Sequence, residues 1–314
     1  MIKPKISVIM SLYNESLTDL KLSVESILNQ TYKELEFIII IDNPNNQIAI
    51  EYIQEIANSD NRVKYYINEV NRGLVKSLNK ALKLSTAPYV ARMDADDISE
   101  PNRLELQLNY LLQNEQIDLV ATNSKIIDEE GIFQYYTNHK TSCVDHAKKT
   151  LYYNNNFMHP TWLLKRSVYE DLEGYREVKY CEDYDFLCRM VLKGYNMMIL
   201  PDYLLSYRIR STGISQSNAL FQRKSMININ KQYKKLLNSP IDKDIMINEI
   251  KVTDKEVNDY TIAKKYWDQS VIYKKEKKYF TAISSLVMGI ASSKYIRTRL
   301  SNNIKLKLLN IRYR

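Results

Sequence analysis

Apolar runs alternate with amphipathic stretches over the first third of the chain. Ile6 to Met10 and Leu35 to Ile41 are nearly unbroken apolar segments, the pattern of strands buried on both faces. After the first, Leu17, Leu20, Val24, Ile27 and Leu28 recur at helical spacing; after the second, Ile48, Tyr52, Ile53 and Ile56 do so. A third unit pairs a strand over 62–67 with Leu74, Leu78, Ala81 and Leu82, and Tyr89 to Met93 reads as a fourth strand. Alternation of this kind predicts an α/β fold, a parallel sheet with helices on its faces. Residues 117–122 continue the sheet, and residues 126–133 around Glu129-Glu-Gly131 read as a hairpin. A helix starts near Asp183, buries Phe186, Leu187, Met190 and Val191, and closes at Gly194. From residue 216 the pattern is helical, without glycine between Gly213 and Gly289; Tyr266, Trp267, Ile272, Tyr279 and Phe280 are expected in packed helices. The division predicted is a domain over 1–215, with halves 1–97 and 98–215, and a helical region over 216–314.

Ligands of such sheets lie beyond the carboxyl ends of the strands. Those ends here are Tyr13-Asn14-Glu15, Asp42-Asn43, residues 68–73, and Asp94 to Asp97. The topology therefore gathers Asp42 with Asp94, Asp96 and Asp97 on one edge. Clustered carboxylates repel unless water, Arg92 or a cation neutralises them. Magnesium and manganese take one or two carboxylates and leave other positions to water and a substrate phosphate, which Asp-x-Asp at a strand's end can supply. An acidic loop capping the helix that starts near Pro101 is the plainer alternative.

Composition narrows the choice. No stretch approaches the ~20 apolar residues that span a bilayer, and the start of the chain lacks a signal-peptide pattern. Cys143, Cys181 and Cys188 lack metal spacing and read as reduced cytoplasmic thiols. The net charge of +8 is local: residues 274–314 hold eleven Lys and Arg against Glu276. With the basicity confined to a tail, no nucleic-acid partner is expected. Neither Gly-x-Gly-x-x-Gly nor a Gly-Lys-Ser phosphate loop is present, so a phosphate would need side chains and metal.

Taken together, Ile-Ser-Val-Ile-Met10, Tyr13-Asn14-Glu15, Asp42, Asn71-Arg-Gly73 and Ala91-Arg-Met-Asp-Ala-Asp-Asp97 resemble glycosyltransferase family 2 enzymes with the GT-A fold. His159-Pro160, Gly174-Tyr175 and Cys181-Glu-Asp-Tyr-Asp-Phe-Leu-Cys-Arg189 resemble that family's acceptor half. The resemblance implies a Rossmann-like, mixed and mostly parallel sheet and an inverting, metal-dependent transfer of a hexose from a UDP-sugar. It implies Asp183 as general base, Glu182 and His159 on the acceptor side, and Asp96 with Asp94 on Mn²⁺ or Mg²⁺. Tyr13, Asn14, Glu15, Asp42, Arg72, Arg92 and Asp94 become the nucleotide-side candidates. Asp183 is also an ordinary helix-start acid, and His159 an ordinary packed histidine. The chain departs from the family at Ser11-Leu12, at Asp42-Asn43-Pro44-Asn45, and at Arg210, where relatives carry histidine; a cation there can still meet phosphate.

Basic residues flank a stripe of Ile296, Leu300, Ile304, Leu308 and Ile311. That pattern suits an anionic membrane surface or a packed helix with a solvated face. The expected acceptor is a lipid-linked glycan in capsule, O-antigen or exopolysaccharide synthesis, and the expected location cytoplasmic, peripheral to the inner membrane face. A soluble or protein acceptor, and a nucleotidyltransferase, are the alternatives.

Overall fold

The computed structural model describes residues 5–210, 218–237, 239 and 244–313. The chain divides into two compact units: Met1–Lys148, Asn155–Glu177 and Glu182–Ser211 form one, and Lys149–Asn154, Val178–Cys181 and Thr212–Arg314 the other.

The first unit opens as β1 (Ile6–Leu12), α1 (Leu17–Leu28), β2 (Leu35–Ile41), α2 (Gln47–Ser59), β3 (Val63–Ile67), α3 (Leu74–Leu84) and β4 (Tyr89–Asp94). These strands pair in parallel in the order β3-β2-β1-β4. Every residue of β2 is buried, as its run of isoleucines requires. Leu20, Val24 and Ile27 of α1 and Ala49 and Ile53 of α2 cover the core, whereas Ile48, expected on the α2 inner face, is exposed. Each fully buried isoleucine contributes about 2 kcal/mol.

The chain continues through β5 (Ile98–Ser99), α4 (Arg103–Gln113), β6 (Leu119–Ile127), β7 (Phe133–Tyr136) and α5 (Val144–Thr150). It goes on through β8 (Leu163–Lys165), α6 (Arg166–Asp171), α7 (Glu182–Leu192) and β9 (Met197–Arg208). The expected hairpin is β6–β7, shifted in register between Ile126 and Ile127. Strand β8 lies antiparallel between β4 and β6, and the long parallel β6–β9 ladder carries the sheet on to β5. The first four strands supply the parallel edge that the alternating pattern predicts; β8 adds a wall beside it.

In the second unit, α8 (Ala219–Leu236), α9 (Asp254–Lys275), α10 (Tyr279–Ser292) and α11 (Lys294–Arg312) follow in sequence. A full capping box of Thr253 and Glu256 starts α9. Ala263 and Tyr266 of α9 press on Gly289 of α10, where an added Cβ would stand 3.0 Å from the Ala263 carbonyl. The expected packing of Tyr279, Phe280 and Ile272 does not occur: all three side chains are exposed, and on α10 it is the small residues Ala282, Ser285 and Gly289 that are buried.

Candidate active site

Parallel register brings the strand ends together. Ile41 pairs with Leu12 and Ser11 with Asp94, so Asp42 and the Asp94 cluster flank the end of β1. Asp42 is buried and accepts from Asn68 Nδ2 at 2.7 Å, Arg72 N at 2.8 Å and Gly73 N at 2.8 Å. Its carboxylate thereby shapes the loop before α3, where Gly73 takes φ +83°. Arg72 itself is exposed. Asn43 donates to Asn14 Oδ1 at 2.6 Å and Asn46 to the Tyr13 carbonyl at 3.0 Å, tying the Tyr13-Asn14-Glu15 turn to the end of β2. Burial, with some repulsion from Asp96 and Asp94, raises the Glu15 carboxyl above its ordinary value.

The three aspartates after β4 take separate paths. Asp94 is ion-paired with Arg92 of the same strand, and its carbonyl is held by Ser23 of α1 at 2.8 Å. Asp97 is wholly buried and accepts from Arg208 N at 2.8 Å, so it anchors the end of β9. Burial raises its carboxyl well above the usual range, with the charges of Asp94 and Asp96 adding to the effect. Asp96 accepts from Arg210 Nε at 2.8 Å. The same guanidinium donates to Asp19 Oδ2 at 2.7 Å, and Arg208 pairs with Asp19 at 3.0 Å. Arg210, expected as a cation for phosphate, is bound here to two carboxylates.

Asp19 escaped the sequence reading. It sits in the first turn of α1, where Ser16 caps its backbone N–H at 3.1 Å and donates to its side chain at 2.6 Å. The Ser16-x-x-Asp19 pattern announces a helix start, but nothing local announces partners 189 and 191 residues away.

The acceptor-side candidates lie at and before α7. Asp183 accepts from Asn155 Nδ2 at 2.7 Å and from Tyr184 N at 2.7 Å. Burial raises Asp183 and Glu182, and the mutual repulsion of the two carboxyls raises Glu182 further. Below them Asp185, wholly buried, pairs with Arg176 at 2.5 Å and Arg189 at 2.8 Å. Arg189 also donates to the carbonyls of Leu172 and Gly174, so this cluster sets the turn before the helix.

His159 is buried, its Nε2 2.7 Å from the Tyr175 hydroxyl and its ring 4.5 Å from that of Trp162. Burial, and next the Arg92 charge, holds the imidazole well below its ordinary pKa, so it is neutral. It braces the wall of the site, and Trp162, Tyr175 and Tyr184 are likewise buried rather than presented to a sugar.

Arg92 links the two sides. Its backbone N–H donates to the Trp162 carbonyl at 3.0 Å, its guanidinium pairs with Asp94, and its charge lowers the proton affinity of both Glu182 and Asp183. Burial opposes the Arg92 charge, but the attraction of Asp94 outweighs it and keeps the group protonated.

Asp94 and Asp96 suit a divalent cation of limited protein coordination. They stand two residues apart and part-exposed, and burial, then the charge of Asp94, raises the Asp96 carboxyl, a repulsion that a cation relieves. No cluster of three or more His, Cys, Asp or Glu among the described residues forms a closed cage. Water and phosphate would complete such a shell.

The sequence model of the family described as "Glycosyl transferase family 2" matches residues 7–173. The O-antigen biosynthesis glycosyltransferase WbnJ of Escherichia coli is 36% identical over 218 residues, 68% of this chain and 82% of its own. Among solved structures, S. aureus TarS 1-349 in complex with UDP-GlcNAc superposes with a TM-score of 0.60 at 17% identity, covering 96% of this chain and 92% of that one. The mannosyltransferase PcManGT of Pyrobaculum calidifontis, in complex with GDP-Man and Mn2+, gives 0.59 at 15% identity over 98% and 81%.

Proposed function

Since the chain belongs to glycosyl transferase family 2 and is a glycosyltransferase, we propose that it moves a hexose, with inversion, from a UDP-sugar to a lipid-linked glycan in polysaccharide synthesis. The fold is the GT-A fold that the resemblance implies, a mixed sheet with flanking helices. The observation that carries the reading is the parallel register that sets Asp42 and the Asp94–Asp96 pair at one edge of the sheet, with Asp94 ion-paired to the buried Arg92. Displacement at an anomeric carbon needs a base for the acceptor proton and positive charge for the leaving diphosphate, which an acceptor-side carboxylate and a cation-binding carboxylate pair can supply.

In this reading the acceptor hydroxyl gives its proton to Asp183 while its oxygen bonds to the anomeric carbon. The bond from that carbon to the β-phosphate oxygen breaks, and its electron pair leaves with the nucleotide diphosphate. Asn155 and the Tyr184 amide hold the Asp183 carboxylate in one orientation. Glu182 accepts from a neighbouring acceptor hydroxyl. Asp96 and Asp94 would hold Mn²⁺ or Mg²⁺, which when bound supplies positive charge to the diphosphate. Asp42 orders the 68–73 loop and, with a lone pair left beyond its three donors, reaches the base.

The likeness to TarS favours uridine and the likeness to PcManGT keeps guanosine in the test. The relation to WbnJ supports a glycan acceptor, and the basic tail a lipid-linked one at the cytoplasmic membrane face. Calorimetry with UDP and GDP, each with Mn²⁺ and with excess chelator, checks the donor side. UDP should bind with metal, lose at least about tenfold in affinity with chelator, and bind weakly to Asp96→Ala, because diphosphate and carboxylate repel without a bridging cation. Equal affinity with chelator would remove the metal from the scheme.

A further inference from the structure

Helix α10 is built inside out. Its inner stripe, Ala282, Ser285 and Gly289, is small and buried, while large apolar side chains point outward: Phe280 is 87% exposed, Ile283 62% and Val287 56%. These outer positions recur at i, i+3 and i+7, one continuous face. A water-facing helix normally carries its charges there, yet α10 holds no charged residue. Exposed apolar area of this continuity marks a contact surface.

The flanks identify what covers it. Lys274, Lys275, Lys277 and Lys278 precede the helix, with Glu276 among them paired to Lys278 at 2.8 Å, and Lys294, 3.5 Å from Glu256, and Arg297, which also donates to the Ile290 carbonyl, follow it, leaving a net positive flank on each side. Protein interfaces are depleted of lysine, whereas an apolar face between clusters of lysine and arginine matches the acyl boundary of a bilayer lined by anionic headgroups. Tyr279, at the first turn and 60% exposed, is the residue type that favours the headgroup level. Fourteen residues make about 21 Å of helix, less than the ~30 Å hydrocarbon core. No helix among the described residues is long and apolar enough to cross a membrane, so the geometry is that of a helix lying in the surface. The α11 stripe contributes less than its pattern suggests: Ile296 is buried, and only Ile304, Leu308 and Ile311 are exposed.

We propose that the outer face of α10, with its lysine flanks, docks into an anionic phospholipid bilayer. The contact rests on the reading of a lipid-linked acceptor for its purpose, since it holds the enzyme on the surface where such an acceptor lies. The test is flotation of the full chain with phosphatidylcholine vesicles, with and without phosphatidylglycerol, at low and high salt, with UDP affinity and melting temperature measured on the same samples. The wild type should float with the anionic vesicles at low salt. Phe280→Glu with Ile283→Glu should lower the partition at least about tenfold at unchanged melting temperature and UDP affinity. Phe280→Ser alone should give an intermediate loss. Absence of flotation at low salt, equal flotation of the double variant, or a wild-type dimer that the double variant converts to monomer without any vesicle binding would each overturn the proposal, the last in favour of a second copy on this face. Flotation without UDP binding would count against the donor reading and leave the membrane contact standing.

Discussion

A carboxylate that must take a proton from a sugar hydroxyl works best when its own affinity for that proton lies near the working pH. Burial brings the pair there: Asp183 is pushed up to about 6 and Glu182 to about 7, and they titrate together. Transfer should therefore fall as pH drops through this range, because the base fills with protons, and level off above it; a pH profile of kcat/KM checks this. Asp183→Asn should fold, bind donor and lose about 10²–10⁴-fold in transfer. A helix-capping role predicts the reverse, since Asn caps as well as Asp and activity would survive. The raised value also has a stability consequence. Protonation favours the folded state, so the contribution of Asp183 is fully present below the unfolded value and is lost as pH rises through the folded one. At pH 8 the Asn variant should melt no lower than wild type, and its advantage should shrink toward pH 4.

The turn ahead of α7 is held by a buried ion cluster. Asp185 draws Arg176 and Arg189 together, and Arg189 holds two carbonyls of the 172–174 segment. Removing one partner of a buried pair leaves the others uncompensated, so Asp185→Ala should cost roughly 3–5 kcal/mol in a urea melt. Gly174 sits at φ +73°, where an added Cβ would stand 2.5 Å from Asn79 Oδ1, the acceptor for Tyr175 N. Gly174→Ala should therefore destabilise by about 1–3 kcal/mol and loosen the Tyr175–His159 wall, which a lower melting temperature and a raised acceptor KM would report. Of these features the helix start and Gly174-Tyr175 were legible in the sequence. The ion cluster was not, because Asp183 and Asp185 look alike in a string of acids until the fold gives one neutral donors and the other two arginines.

Across the molecule, legibility followed the range of the interaction. The parallel strands could be read because β1, β2 and β4 are largely buried and β1 to β3 are each followed by a helix, although β3, at the edge, is only partly covered; their common direction places the acidic edge. Strand β8 could not: three residues inserted between β4 and β6 leave no periodicity. The outward face of α10 was also misread, since apolar residues at helical spacing say which residues share a face and not whether protein covers it. The same separation by range gives the sheet a history during synthesis. Strands β1 to β4 are complete once residue 94 has emerged, whereas β9, which joins β6 and β5, ends at residue 208. Domains fold as the chain is made, and pairings distant in sequence close last. The nascent chain therefore carries Asp19, Asp96 and Asp97 for more than a hundred residues before Arg208 and Arg210 arrive to pair with them, and the acidic edge becomes electrically complete only with the closing strand.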